Sequence, residues 1–270
     1  MTTRRRRRIR AWALGLLPLL ALALLAVALR ERGSSAGAQA SSDRPGPVLL
    51  VAGYGGSTGA LERLAQQLRG SGRTVVVVPP VGDNTGDLRA QAQALDRAVR
   101  AQLAAGAPSV DLVGYSAGGV VVRLWAADLD GAAVARRVVT LGSPHHGTDV
   151  AGLAAGLLAG ACPTACRQLA PGSEVLAGLP EAVPGPRWTS IWTADDQTVT
   201  PPVSARLEGA VDIELQQVCP DERVSHAGLP TDPLAVALVR LALDGPAPAA
   251  APTPDRCAAL RASGSGAVSS

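Results

Sequence analysis

Ser116 sits in Gly114-Tyr115-Ser116-Ala117-Gly118, directly after the apolar run Val110–Val113 and directly before the helix-compatible run Ala117–Leu129. A G-x-S-x-G pentapeptide between a strand and a helix forms a very tight turn, which strains the serine backbone and exposes its hydroxyl. The flanking glycines are required because the chain passes too close to itself for a Cβ. With 30 Gly in the chain the bare pentapeptide has little weight; the strand before it and the helix after it single Ser116 out as a candidate nucleophile.

A serine hydroxyl needs a histidine base, and that base needs an acid to orient it. The chain has three histidines. His145 and His146 lie in Gly142-Ser143-Pro144-His145-His146-Gly147-Thr148, with almost no acid between them and the helix that follows Ser116. His226 lies after the last expected strand and leaves room for an acid upstream, which makes it the candidate base. The acid is expected in the loop after Arg187–Trp192, where Asp195 and Asp196 are adjacent, and composition does not separate them. A tetrahedral oxyanion needs two N–H donors. Ala117, at the helix start, supplies one, and the loop Gly53-Tyr54-Gly55-Gly56 is placed to supply the other. That loop matches neither a G-x-G-x-x-G nor a P-loop phosphate cradle.

The elements that must hold these residues alternate. Strands are expected at Val48–Ala52, Thr74–Val78, Val110–Val113, Val138–Leu141, Arg187–Trp192 and Val211–Gln216. Between them, Thr58–Arg69, with Thr58 as N-cap, Gly86–Ala105, Ala117–Leu129 and Asp232–Leu243 carry apolar residues at helical spacing. Continuous apolar strands joined by helices indicate a mostly parallel sheet covered on both faces. Residues 149–186 break the rhythm, and the small, apolar stretch 151–161 suits an apolar wall beside a site.

The formal net charge of +3 comes from the N-terminus. Eight of the 25 basic and one of the 22 acidic residues lie within residues 4–32, so the remainder carries 17 basic against 21 acidic residues. No basic patch suggests nucleic acid. Between the arginine clusters, residues 11–29 form an uncharged apolar stretch near the length that spans a bilayer. Residues 1–32 read as a signal peptide or membrane anchor, with Ala38-Gln39-Ala40 as a cleavage candidate, and all that follows is expected outside the cytoplasm. If uncleaved, residues 11–29 would contact the membrane. Residues 33–46 read as a linker, 47–244 as the catalytic domain, and 245–270 as a Pro/Ala/Gly/Ser-rich tail, disordered apart from an anchor at Cys257. Four cysteines agree with export. Cys162 and Cys166 are close enough for a local bridge and Cys219 with Cys257 could tie the tail to the body, although four cysteines allow three pairings. A zinc site on Cys162, Cys166 and the His145-His146 pair is the rival reading.

Residues from about Pro47 to Leu243 resemble the small bacterial extracellular lipases and esterases of the α/β-hydrolase superfamily. The resemblance rests on VLLVAGYGG, LVGYSAGGVVVRL, VVTLGSPHHGT and TSIWTADDQTVTPP in that order, with VSH closing the set. Such lipases often carry His-Gly-x-Gly in the first segment; Ala52 stands in place of that histidine, which leaves the backbone donor at Tyr54 intact. The resemblance implies Tyr54 and Ala117 as oxyanion donors, and Asp196 as the acid, because the pattern T-S-I-[YW]-x-x-x-D ends there. It also implies that the Ser-Pro-His-His-Gly-Thr segment is scaffold beside the site.

The expected activity is hydrolysis of carboxylic esters of lipids or other hydrophobic esters by Ser116, Asp196 and His226, with no metal or organic cofactor. A short-chain carboxylesterase or an acyltransferase would keep the same three residues. A non-catalytic cell-surface binding protein on the same fold is the rival from another class.

Overall fold

A computed structural model of the protein describes residues 44–157, 162–246 and 248–265. From the N-terminal side the elements run β1 (Val48–Val51), α1 (Gly59–Gly70), β2 (Val75–Val77), α2 (Leu88–Ala104), β3 (Val110–Tyr115), α3 (Ala117–Asp128) and β4 (Ala135–Leu141). Three helices follow, α4 (Asp149–Leu157), α5 (Thr164–Gln168) and α6 (Glu174–Ala177). Then come β5 (Arg187–Trp192), β6 (Val211–Glu214), α7 (Leu215–Val218), α8 (Pro233–Leu243) and α9 (Cys257–Gly264).

The strands form one sheet of six in the order β2-β1-β3-β4-β5-β6, and every pairing is parallel. Alternation along β1 shows why each strand reads as continuously apolar. Val48 and Leu50 face a layer built on α1, α8 and α9, while Leu49 and Val51 face a layer built on α2, α3 and α4–α6. Connections run outward in opposite directions from β1 and β3, so the carboxyl ends of these two neighbours flank the switch point where a crevice opens. The loops after β1 and β3 are Gly53–Gly56 and the turn at Ser116.

Several expectations shift. Strand β4 begins at Ala135 rather than Val138 and so includes Arg136 and Arg137, both buried. Burial is possible because each is paired: Arg136 Nε donates to Asp111 Oδ1 at 3.0 Å and Arg137 Nη1 to the Ala242 carbonyl at 2.6 Å. These arginines satisfy carbonyls that the C-terminus of α8 leaves open. Strand β6 stops at Glu214, and Leu215–Val218 turns into a helix instead of extending the strand. Thr58 makes no side-chain cap, whereas Asp87 and Asp232 cap α2 and α8.

The tail also differs from the disordered segment its composition suggests. Residues 257–264 form α9, with Leu260 buried against the α8 layer. Cys219–Cys257 and Cys162–Cys166 are both disulfides, so the zinc reading fails because its two sulfurs are bonded to each other. The N-terminal apolar stretch 11–29, the cleavage candidate and residues 158–161 of the small-residue wall lie outside the described residues. Among the described residues no helix is long and apolar enough to cross a membrane.

Candidate active site

Ser116 occupies the residue between β3 and α3 with φ 54° and ψ −128°, the strained left-handed turn its pentapeptide requires. A serine in that position normally caps the helix with its own oxygen. Here the side chain makes no cap and Oγ lies 3.0 Å from Nε2 of His226. The turn is possible only without side chains on either flank. A Cβ on Gly114 would lie 2.5 Å from the Cα of Gly119, and one on Gly118 would lie 2.3 Å from the carbonyl oxygen of Val51.

His226 begins a short 3-10 turn, His226–Gly228, after β6 and α7. Its Nδ1 lies 2.7 Å from Oδ2 of Asp196. Since a carboxylate only accepts, Nδ1 carries the ring proton, and Nε2 is left free to accept the Ser116 hydroxyl proton. The other oxygen of Asp196, Oδ1, accepts from the N–H of Thr198 at 2.9 Å and of Val199 at 2.8 Å, and the residue is buried. Asp195 points elsewhere; its Oδ2 is 3.4 Å from the Gln216 amide. The structure therefore brings Ser116, His226 and Asp196 into one hydrogen-bonded line.

The loop after β1 lies against the nucleophile. A Cβ on Gly53 would lie 2.8 Å from the Cβ of Ser116. Tyr54 and Gly55 are the corner of a turn closed by the Gly56 N–H on the Gly53 carbonyl at 3.2 Å, with Gly55 at φ +82°. The Tyr54 side chain is turned to solvent. Ala117 is buried as the first residue of α3, where an N–H has no intrahelical acceptor and the helix dipole favours negative charge.

The histidines after β4 are not in that line. His145 is buried with Nε2 at 3.1 Å from Thr140 Oγ1 and, among the described residues, no partner for Nδ1. Burial, with the Arg123 charge adding, holds it well below the usual histidine range. His146 lies 3.0 Å from Glu181 Oε1. Their loop serves the site through other atoms. Thr148 Oγ1 donates to the Thr198 carbonyl at 2.7 Å and accepts from the Thr200 N–H at 3.0 Å, which fixes the segment carrying Asp196.

Three positions around the site carry no motif signal strong enough to be found in the sequence. Gly142, at φ +54°, leaves the space that a Cβ would take 3.2 Å from both Asp196 Oδ2 and His226 Nδ1. Gly119 makes room for Ser143, whose Oγ would lie 2.0 Å from an added Cβ. Tyr115 lies beside the His226 ring, with centroids 5.2 Å apart. Beside the Asp196 loop, Asp149, Val150, Gly152, Leu153 and Thr200 line an open cleft of about 500 Å³. Val150 is 52% and Leu153 64% exposed there, so the cleft presents apolar surface to solvent.

This architecture is that of an α/β-hydrolase fold. A palmitoyl protein thioesterase family model matches residues 47–176. No curated protein matches the chain. Among solved structures it is similar to Aspergillus fumigatus lipase B, with 22% identity and a TM-score of 0.65, over 80% of this chain and 56% of that one. It is also similar to the propeptide form of the Bacillus licheniformis lipase BlEst2, with 20% identity and a TM-score of 0.61, over 76% of this chain and 52% of that one. The mature form of the same lipase matches with 18% identity and a TM-score of 0.53, over 68% of this chain and 86% of that one. The chain thus spans about half the length of the first two structures.

Proposed function

We propose that the protein is a serine hydrolase of lipid-like acyl esters that works through an acyl-enzyme. The observation that carries this reading is the line from Ser116 Oγ to His226 Nε2 at 3.0 Å and from His226 Nδ1 to Asp196 Oδ2 at 2.7 Å. Ser116 attacks the acyl carbonyl as His226 takes its proton, and Asp196 stabilises the imidazolium that results. The N–H groups of Ala117 and Tyr54 hold the oxyanion. His226 then passes the proton to the departing alcohol, and water repeats the sequence to release the acid. No step calls for a metal or organic cofactor.

The apolar cleft beside the Asp196 loop supports an acyl chain of some length rather than a short acid. The family match over residues 47–176 favours a second reading at the same site, a thioester in place of the oxygen ester. A thiol leaves without changing any residue's role. Two disulfides support action in an oxidising compartment, consistent with export directed by residues 1–32.

The test is turnover of p-nitrophenyl esters from acetate to palmitate beside palmitoyl-CoA, for the wild type and Ser116→Ala. Turnover of the longer esters that disappears in Ser116→Ala is expected. Undiminished turnover in Ser116→Ala, or a folded wild type that a fluorophosphonate does not label at Ser116, would overturn the reading in favour of a binding protein.

A further inference from the structure

We propose that Tyr115 is a positioning residue for His226, and that its ring is the platform on which the imidazole is held and charged during each acyl transfer. The inference rests on the hydrolase reading of Ser116, His226 and Asp196. Neither the pentapeptide, which places Tyr115 at its variable position, nor the family match assigns the residue a role.

His226 is held by few atoms of its own segment. It opens a 3-10 turn on the stretch after α7, and its carbonyl accepts from the Leu229 N–H at 3.3 Å. Asp196 fixes the ring at one atom, Nδ1, which leaves it free to pivot about that bond. Gly142 closes one side of the ring. Tyr115 closes another, with its ring centroid 5.2 Å from that of His226 at an interplanar angle of 32°. Tyr115 OH also lies 3.3 Å from the His226 carbonyl oxygen. That is long for a hydroxyl donor, so the contact of the rings carries more weight than the hydrogen bond.

Chain order favours this contact. Tyr115 is the last residue of β3 and Ser116 the next, so the strand that delivers the nucleophile also delivers the support for its base. The side chain of Tyr115 packs against the α1 and α8 layer, which anchors the ring from below. An aromatic face near an imidazolium attracts it, so the contact strengthens as His226 takes the serine proton. The hydroxyl keeps its own proton throughout, because burial, with the Asp196 charge adding, pushes it up to about 12.

A platform acts on the chemical step and not on substrate capture. In the full-length protein, Tyr115→Leu is expected to lower kcat on p-nitrophenyl octanoate by about 10- to 30-fold with KM within about twofold. Tyr115→Phe keeps the ring, and its kcat is expected to stay within about threefold of wild type. A second readout needs no turnover. The downfield proton resonance of the His226–Asp196 hydrogen bond should persist in Tyr115→Phe and broaden or vanish in Tyr115→Leu, while Asp196→Ala identifies it. The proposal is overturned if folded Tyr115→Leu keeps wild-type kcat and resonance, if the loss falls on KM, or if Tyr115→Phe loses more than about tenfold. The last criterion applies even if the leucine variant does not fold. An inactive wild type whose resonance still responds to Tyr115→Leu would refute the hydrolase reading and leave the positioning role standing.

Discussion

Asp196 meets His226 through Oδ2 at 2.7 Å while its Oδ1 is filled by two backbone N–H groups, so both oxygens are committed. Asp195, one residue earlier, is tied among the described residues only to the side chain of Gln216 and its own loop. Asp196→Asn should therefore lower kcat/KM by about 10³- to 10⁴-fold, because an amide can donate to Nδ1 and favours the wrong tautomer. Asp195→Asn should stay within about twofold. Steady-state kinetics on a medium-chain p-nitrophenyl ester rank the two, and the opposite ranking refutes the assignment of the acid.

The tight turn at Ser116 gives a stability prediction independent of activity. A methyl group on Gly118 would sit 2.3 Å from the Val51 carbonyl oxygen and 2.8 Å from that of Ala52, and backbone cannot swing aside as a side chain can. Gly118→Ala is expected to cost about 2 kcal/mol or more. Gly59→Ala, at the exposed start of α1 with nothing within 4 Å of an added Cβ, should be neutral or slightly stabilising. Urea midpoints measured by circular dichroism compare the pair; equal midpoints would show that β1 and α3 pack less closely than described.

These contrasts show which parts of the molecule were legible in its sequence. Ser116, His226 and Asp196 each follow a strand read from local patterns, with the family resemblance separating Asp196 from Asp195, so the parts of the site could be named before their distances were known. Residues whose roles depend on a distant partner were not legible. Arg136 and Arg137 look wrong for a buried strand until Asp111 and the end of α8 arrive to pair them. Gly142 resembles any glycine after a strand until Asp196 and His226 close over it. The proline- and alanine-rich tail lacks the composition of a folded segment, and its order comes from contacts made elsewhere in the chain.

Those contacts make the tail a test of cross-linking against surface charge. Cys257 is bonded to Cys219, 38 residues earlier. Arg261 reaches Asp221 at 3.0 Å and Glu222 Oε2 through Nε at 2.8 Å, but it is partly solvated. Removing the bridge with Cys219→Ser and Cys257→Ser together should cost about 4 kcal/mol, through the entropy regained by the unfolded chain. Arg261→Ala should cost about 1 kcal/mol or less. Thermal melts under oxidising conditions give the order, and a larger loss from Arg261→Ala would place the tail's stabilisation in its ion pairs.

His145 sets a limit on stability at acid pH. Its ring is buried beside Thr140, its Nδ1 has no partner among the described residues, and the Arg123 guanidinium donates to its carbonyl at 2.9 Å, all of which oppose protonation. In the unfolded chain a histidine takes up a proton near pH 6.5. Above that pH neither state holds the proton and His145 adds no pH dependence. Below it the unfolded state binds one proton more than the folded state, so stability falls as pH falls, with a slope approaching about 1.4 kcal/mol per pH unit. Glutamine can keep a hydrogen bond to Thr140 and does not titrate. His145→Gln should therefore lose about 2 kcal/mol less than wild type between pH 6.5 and 5, read from urea midpoints at each pH. Parallel curves for the two proteins would mean that His145 charges inside the fold.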